Sequence, residues 1–260
     1  MTVLALPWGP GLSEHSGSGL QLSIIELRQY TLHAGKLDVL VNLFETEFIE
    51  SQEAVGMKVL GQFRDLDKPD RFVWIRGFKD MPSRAEGLNA FYDGALWQAH
   101  RSAANATIVD SDNVLLLRAA RPGSGFIPDD RPRPPRGASE TPKGLIVANI
   151  CYFNAPVEPA FVVFFESVVR PELDRAGMPI LASFVTETSP NNFPRLPVRE
   201  HDHVFVWFAR FADRGDYERH LASLGASSAW TRIADTLYPK LKALPEILLL
   251  QPTPRSQLHD

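Results

Sequence analysis

Two similar series of strands and helices are predicted by the positions of hydrophobic and polar residues along the chain. The first series begins with a strand at residues 24–30, where polar and apolar residues alternate. Apolar residues at helical spacing then predict an amphipathic helix over residues 36–55. Two strands at 57–66 and 71–78, a helical stretch ending near residue 107 with a break at Gly94, and a buried strand at 114–117 complete the series.

The same order of elements returns in the second half of the chain. Its predicted elements lie at residues 145–153, 157–175, 180–188, 203–211, 213–237 and 246–250. One alignment of the halves without a gap, here called the tryptophan alignment, places Phe72-Val73-Trp74 on Phe205-Val206-Trp207 and Trp97 on Trp230. The first strands need a separate alignment, here called the first-strand alignment, because the second half has a longer loop around Ser189-Pro190-Asn191-Asn192. We therefore expect an internal duplication.

The repeated order indicates the fold class. Strand-helix-strand-strand-helix-strand is the order of the ferredoxin-like unit, a four-stranded antiparallel sheet with both helices on one face. We expect an α+β protein in which two tandem ferredoxin-like units pack sheet against sheet, as in a dimeric α/β barrel, with a cavity between them. The expected organisation is a flexible leader at 1–20, a first domain at 21–120, a proline-rich linker at 121–143, a second domain at 144–253 and a tail at 254–260.

Three stretches of the first half resemble a known family. They are Ile25 to Leu32 with Gly35-Lys36, Arg71 to Phe78, and the run from Ala103 through Asp112-Asn113-Val114 to Leu117. These three segments resemble the NIPSNAP family, which belongs to the dimeric α/β-barrel superfamily. The resemblance covers residues 23–120. The superfamily implies a cofactor-independent oxygenase, cyclase or isomerase as the enzyme class. The family has no catalytic motif to carry over, and the fold alone does not give a function.

Composition excludes several classes of partner. A formal charge of −4 and a pI near 6.0 give no basic field for nucleic acid or an anionic membrane. No apolar run approaches the roughly 20 residues of a membrane span. Residues 1–19 contain no Lys or Arg, which argues against a secretory signal, and the single Cys151 cannot form an intrachain disulfide. A cytoplasmic location is expected.

Polar residues on two predicted strands are the main candidates for a site. Alternation places Glu26, Arg28 and Tyr30 on one face of the first strand, and Trp74 and Arg76 on one face of the third. We expect this polar set to face the cavity between the halves. The opposite faces, expected to lie under the helices, carry Ile25, Leu27, Val73 and Ile75. A cavity with aromatic walls and a few convergent polar groups is typical of a small-molecule site. The alternative is that Glu26 and Arg28 are solvated or paired on an edge strand.

Comparison of the halves favours the first as the place of any chemistry. In the tryptophan alignment, Arg76 corresponds to Ala209 and His100 to Ile233. His100 and Tyr30 are candidate catalytic groups for proton transfer, although a histidine on an apolar helix face is also common as a hydrogen-bonded core residue. Candidate ligand-binding residues are Glu26, Arg28, Trp74, Arg76, Tyr92 and Asn105.

The leading hypothesis is a protein that binds a small aromatic or carboxylate-bearing molecule between its halves. A non-catalytic interaction or assembly module is the alternative, and a haem-binding protein that uses His100 is a third. No metal site is predicted, because His201 and His203 share a strand face without a third ligand at suitable spacing. No cofactor is predicted either, and the sequence leaves homo-oligomer formation open.

Overall fold

Nine strands form one antiparallel sheet that closes on itself in the computed structural model, which describes residues 22–127 and 131–259. The strands are β1 (Ile24–Leu32), β2 (Lys58–Asp65), β3 (Arg71–Phe78), β4 (Ile108–Asp110), β5 (Val114–Ala119), β6 (Leu145–Phe153), β7 (Ile180–Thr186), β8 (His203–Phe211) and β9 (Glu246–Pro252). Eight of them form a ring in the order β1-β3-β2-β9-β6-β8-β7-β5, which closes because β5 also pairs with β1. The short β4 pairs with the end of β1 outside the ring.

Helices cover the outer face of this ring. They are α1 (Leu37–Leu43), α2 (Ile49–Glu53), α3 (Met81–Asp93), α4 (Ala95–Asn105), α5 (Pro159–Phe164), α6 (Arg170–Arg175), α7 (Arg214–Gly225) and α8 (Ser228–Leu237). A π-helical turn joins α1 to α2 at Phe44–Phe48, and a second joins α5 to α6 at Phe165–Val169. The expected break at Gly94 is present between α3 and α4. The sequence pattern predicted the other strands and helices but missed β4, both π-helical turns and the break between α7 and α8, which divides the helix predicted at 213–237.

Each half contributes four consecutive strands to the ring. The first half has the order β5-β1-β3-β2 and the second has β9-β6-β8-β7. The halves join where β2 pairs with β9 and where β5 pairs with β7, all antiparallel. The protein is therefore a mixed α/β fold with an antiparallel sheet closed into a barrel.

The interior of the barrel is an apolar core. Leu27, Val73 and Ile75 point inward and pack against inward residues of the second half such as Ile150 and Val206, and all five are fully buried. The expected orientation of β1 and β3 is therefore wrong: the apolar residues face the other half, and the polar residues face the helices of their own half. An eight-stranded ring leaves an interior that side chains can fill, so packed apolar side chains replace the expected cavity between the halves.

Segments outside the predicted domains also pack on the barrel. Phe126, from the predicted linker, is buried with its ring centroid 5.1 Å from that of Phe184 and 5.0 Å from that of Phe208. Arg255 and Ser256, from the predicted tail, are buried as well. The predicted leader at 1–20 lies outside the described residues. None of the helices in the described part of the chain is long and apolar enough to cross a membrane.

Candidate functional site

A buried cluster of one carboxylate and three guanidinium groups lies between the sheet and the helices of the first half. Glu26 Oε2 accepts hydrogen bonds from Arg28 Nη1 at 2.7 Å and from Arg76 Nε at 2.8 Å. Glu26 Oε1 accepts one from Arg84 Nε at 2.7 Å. All four side chains are 0% exposed. The cluster therefore holds three positive charges against one negative charge away from water.

Strand register and a helix start bring these four residues together. In the antiparallel pair of β1 and β3, Glu26 lies directly opposite Arg76. Glu26 and Arg28 share a face of β1 because residues two apart in a strand point the same way. Arg84 lies in the first turns of α3, whose N-terminus is capped by the Asp80 side chain accepting from Ser83 N at 2.8 Å. The helix start thus directs a third guanidinium group onto Glu26.

The arginines keep Glu26 ionised. Burial alone would raise the pKa of Glu26, but the positive charges of Arg76, Arg28 and Arg84 outweigh it and hold the pKa far below its usual range. The pKa of Arg84 is lowered by burial, which its contact with Glu26 only partly offsets. Because a single carboxylate neutralises a single guanidinium charge, a positive field remains on the side of the cluster that faces the helices.

A cavity of about 90 Å³ adjoins the cluster. Aromatic side chains make up most of its wall, among them Phe44, Phe48, Phe72, Trp74, Phe91 and Tyr92. Tyr30 and Gln52 connect it to the cluster: the Tyr30 hydroxyl accepts from Arg28 Nε at 3.0 Å, and Gln52 Oε1 accepts from Arg76 Nη1 at 3.0 Å. The exposed Asn105 also lines the cavity, so one end of it reaches the surface.

The Tyr30 hydroxyl is placed to donate a hydrogen bond into this cavity. Its oxygen accepts from Arg28, and within the described part of the chain its proton has no acceptor. Burial raises the pKa of Tyr30, against the opposing effect of Arg28, so the hydroxyl is protonated at neutral pH. The Arg28 guanidinium carbon also lies 5.4 Å from the Tyr30 ring centroid, which fixes the ring against the cluster.

Three further buried N–H groups around the cluster lack an acceptor among the described residues. They are Arg28 Nη2, Arg84 Nη2 and Trp74 Nε1. A buried donor without an acceptor costs about 1–3 kcal/mol. Of the three residues, Trp74 lines the cavity, whereas Arg28 and Arg84 are not among its described lining residues. Trp74 Nε1 is therefore the one of these three donors that lies on a residue of the cavity wall.

The first π-helical turn supplies part of the aromatic wall. The Phe44 ring centroid lies 4.8 Å from that of Trp74, and the Phe48 centroid lies 5.9 Å from that of Phe91. The turn also holds Gln52, whose amide nitrogen donates to Phe48 O at 3.0 Å. π-Helical turns are rare in proteins, and those that occur are often found at functional sites. This turn contributes the Phe44 and Phe48 rings to the cavity wall and holds the polar Gln52 beside them.

A loop from the second half closes over the first-half cavity. This loop, residues 187–202, is the longer loop that separates the tryptophan alignment from the first-strand alignment. Its Phe193 ring stacks on Tyr92, with centroids 5.7 Å apart, and Leu196 lines the cavity. Arg84 Nη1 donates to Asn191 Oδ1 at 3.1 Å and to Asn192 Oδ1 at 2.7 Å. The site of the first half is therefore completed by the second.

The structure brings most of the predicted site residues together, on the face opposite to the one expected. Glu26, Arg28 and Arg76 form the charge cluster, and the cavity is lined by Tyr30, Trp74, Tyr92 and Asn105. His100 is the exception. Its side chain is 35% exposed, with Nε2 3.8 Å from Glu47 Oε2, and it is not among the described residues that line the cavity. Its ring packs edge-on against that of Phe48, with centroids 6.3 Å apart, so His100 lies beside the cavity wall and its catalytic role stays a prediction.

Sequence reasoning missed Gln52, Arg84 and the loop at 187–202. One signal for Arg84 was available, since the tryptophan alignment places it on Tyr217, a residue type that is often buried. The other cluster positions change in the same way. Glu26 and Arg28 correspond to Val147 and Asn149 in the first-strand alignment. The charge cluster is thus confined to the first half.

Comparison with known proteins finds a family match in the first half. The NIPSNAP family model matches residues 25–121, which confirms the resemblance seen in the sequence. A NIPSNAP-like domain protein of Burkholderia xenovorans is 23% identical over 42% of this chain and 95% of its own length, with a TM-score of 0.37. The search of curated proteins gave no match.

Two solved structures resemble nearly the whole chain. A candidate monooxygenase of Lactobacillus acidophilus aligns over 91% of this chain and 97% of its own, with 13% identity and a TM-score of 0.53. An anthrone oxidase-like protein aligns over 92% and 96%, with 10% identity and a TM-score of 0.54. At this level of identity the likeness shows a common fold, an α/β barrel made within one chain.

Proposed function

We propose that this chain, whose residues 25–121 match the NIPSNAP family, binds a small aromatic or aliphatic molecule bearing an anionic oxygen, a carboxylate or an enolate, in the cavity of its first half. The observation that carries the proposal is the buried excess of three guanidinium groups over one carboxylate beside an aromatic cavity. The anionic oxygen accepts a hydrogen bond from Tyr30, and the rest of the ligand lies among the rings.

Electrostatics favours an anion over a neutral ligand of the same shape. The uncompensated guanidinium charges are fully buried, where charge interactions are stronger than in water. The Tyr30 hydroxyl connects the cluster to the cavity, because it accepts a hydrogen bond from Arg28 Nε and its side chain lines the cavity. A donor that is already oriented and sits in a positive field stabilises developing negative charge on oxygen, as an oxyanion hole does.

The same arrangement supports the enzyme class that the superfamily implies. A cofactor-independent oxygenase or isomerase needs an enolate or phenolate to persist in the site, and Tyr30 with the arginines meets that requirement. The fold shared with the candidate monooxygenase and the anthrone oxidase-like protein is compatible with such a role. This cavity gives no support to the haem hypothesis, because His100 is not among its described lining residues.

We also infer that the two halves are ferredoxin-like repeats of one duplicated unit, with boundaries near residues 21–120 and 144–253. Their strand orders correspond element by element. The first residues of the π-helical turns at Phe44–Phe48 and Phe165–Val169 coincide in the first-strand alignment. A rare helix type recurring in register is difficult to explain without a common ancestor for the halves.

Binding of matched acids and amides tests the proposed ligand class. The full chain is titrated by calorimetry with carboxylates from propionate to phenylacetate, each compared with its amide. We expect the acid to bind at least about tenfold more tightly than its amide, and Tyr30→Phe to weaken binding of the acid by about tenfold to a hundredfold, the loss of one hydrogen bond to a charged group. Thr231→Val, which removes an exposed hydroxyl of α8 in the second half, is the control.

Equal binding of acid and amide throughout the series, or an unchanged affinity in Tyr30→Phe, would show that the cluster is only a structural core. The length of the acid that binds most tightly also indicates the size of the cavity. A volume of about 90 Å³ is smaller than the roughly 150 Å³ engineered cavity that accepts benzene, so the shorter acids should bind without movement of the loop at 187–202.

A further inference from the structure

A second and larger cavity lies in the corresponding place of the second half. It has a volume of about 310 Å³ and lies between the outer face of β6 and β8 and the helices α5 to α8. Its wall includes Phe165 of the second π-helical turn, Trp207 and Trp230. In the tryptophan alignment, Trp207 and Trp230 correspond to Trp74 and Trp97 of the first-half cavity. A volume above roughly 300 Å³ is in the range of ligand pockets.

This cavity lacks the charges of its counterpart. The described residues that line it include no Asp, Glu, Lys or Arg. At the positions of Glu26 and Arg76 stand Val147 and Ala209, and at the position of Tyr30 stands Cys151. Burial raises the pKa of the Cys151 thiol to about 12, so this group is also neutral. An ion placed here would lose its hydration without gaining a partner.

One polar side chain is positioned for a ligand. Asn149, at the position of Arg28, is 8% exposed and lines the cavity. Its side chain makes no hydrogen bond to any residue in the described part of the chain. This amide therefore offers both a donor and an acceptor to whatever occupies the cavity.

The mouth of the cavity is apolar. Leu221, Tyr238, Leu244 and Ile247 line it although they are 43%, 40%, 77% and 43% exposed. Large apolar side chains gathered at one exposed place mark a binding surface more often than those scattered singly. Their position at the entrance fits the passage of a hydrophobic molecule.

We propose that the second-half cavity is a separate binding site for an uncharged hydrophobic molecule, a ring system or a short acyl chain that carries one neutral carbonyl or hydroxyl group. The apolar part lies between Phe165, Trp207 and Trp230, and the neutral polar group exchanges a hydrogen bond with the Asn149 amide. The two halves thus select ligands of different charge with the same architecture.

Titration with 2-naphthol and 2-naphthoate, followed by tryptophan fluorescence and calorimetry on the full chain, tests the site. We expect 2-naphthol to bind at least about tenfold more tightly than 2-naphthoate, whose charge would be buried without a partner. Asn149→Leu should weaken the binding of 2-naphthol by about fivefold to tenfold, because one neutral hydrogen bond is lost. Leu221→Trp should weaken it by obstructing the entrance, whereas Val109→Trp, a similar change at an exposed residue of β4, should leave binding unchanged.

Three results would overturn the proposal: equal binding of the two probes, unchanged affinity in both Asn149→Leu and Leu221→Trp, or loss of 2-naphthol binding in Tyr30→Phe. The last result would place the probe in the first-half cavity. Circular dichroism of each variant establishes that it is folded, and Asn149→Gln, which keeps the amide, should retain more affinity than Asn149→Leu. Failure of the acid and amide series at the first-half site would not alter any of these outcomes.

Discussion

Replacing Glu26 by Gln should destabilise the protein far more than removing any one of its arginine partners. The substitution keeps the shape of the side chain but removes the only negative charge among Arg28, Arg76 and Arg84, all of them fully buried. Breaking a buried ion pair by removing one partner costs about 3–5 kcal/mol, and here three guanidinium groups lose their partner at once. We therefore expect Glu26→Gln to lower the free energy of unfolding by about 3–5 kcal/mol.

Arg76→Met should cost less than half as much. It removes the hydrogen bonds from Arg76 to Glu26 and Gln52, but it also lowers the repulsion between the remaining guanidinium groups. Urea unfolding at pH 7, monitored by circular dichroism, measures both variants. The exposed Glu218, paired with Arg214 at the surface, provides the matched control Glu218→Gln, for which little change is expected.

The dependence on pH distinguishes charge from shape. The pKa of Glu26 is lower in the folded than in the unfolded protein, where it is near 4.5, so the stability contributed by its charge is present above pH 4.5 and is lost as pH falls below it. The difference in the free energy of unfolding between wild type and Glu26→Gln should therefore decrease as the pH falls below 4.5. If Arg76→Met proves as destabilising as Glu26→Gln, or if the difference persists unchanged at low pH, the excess of positive charge has no energetic role.

Two further predictions concern the loop over the first cavity and the thiol of the second. Phe193→Ala should lower the free energy of unfolding by about 3–5 kcal/mol, the range for a buried phenylalanine, and should speed release of acids from the first-half cavity in stopped-flow measurements; an unchanged release rate would mean that the loop is not a cover. Cys151 should react with Ellman's reagent at pH 8 about 1000-fold more slowly in the folded protein than in urea, because its pKa rises from 9.0 to about 12 and only the thiolate reacts. Similar rates in both states would show that the thiol is not in an apolar environment.

The order of strands and helices could be predicted because each face of each element has a regular pattern. Residues 24–30 alternate, residues 36–55 repeat at helical spacing, and the tryptophan pairs Trp74 with Trp207 and Trp97 with Trp230 fixed the register of the halves. The resemblance to the NIPSNAP family followed from residues of the first half, where the family model matches. Each of these periodic patterns lies within one element, and closure of the sheet into a barrel left the order of strands and helices as predicted.

The direction of the polar face could not be predicted in the same way. Alternation shows that Glu26 and Arg28 share a face, but it does not show which face meets the helices when both are buried. Leu27 and Arg28 are equally buried, one in the barrel and the other under α3. Gln52, which accepts from Arg76, and Arg84, which adds a third guanidinium group to Glu26, lie on helices outside these two strands. Long-range pairing of this kind leaves no periodic signal.

Under the two proposals above, the halves bind ligands of different charge, and the second half is more than a cover for the first. A single loop, residues 187–202, is what the second half contributes to the first-half site, through Phe193 and the two asparagines that accept from Arg84. Beyond that loop, the second half keeps a cavity of its own, larger and free of charged side chains among its described lining residues. Under the proposed duplication, loss of the cluster at Val147 and Ala209 would free one copy for neutral ligands while the other kept the proposed anion site. The closed barrel makes this independence feasible, because its packed interior separates the two cavities and lets each change without disturbing the other.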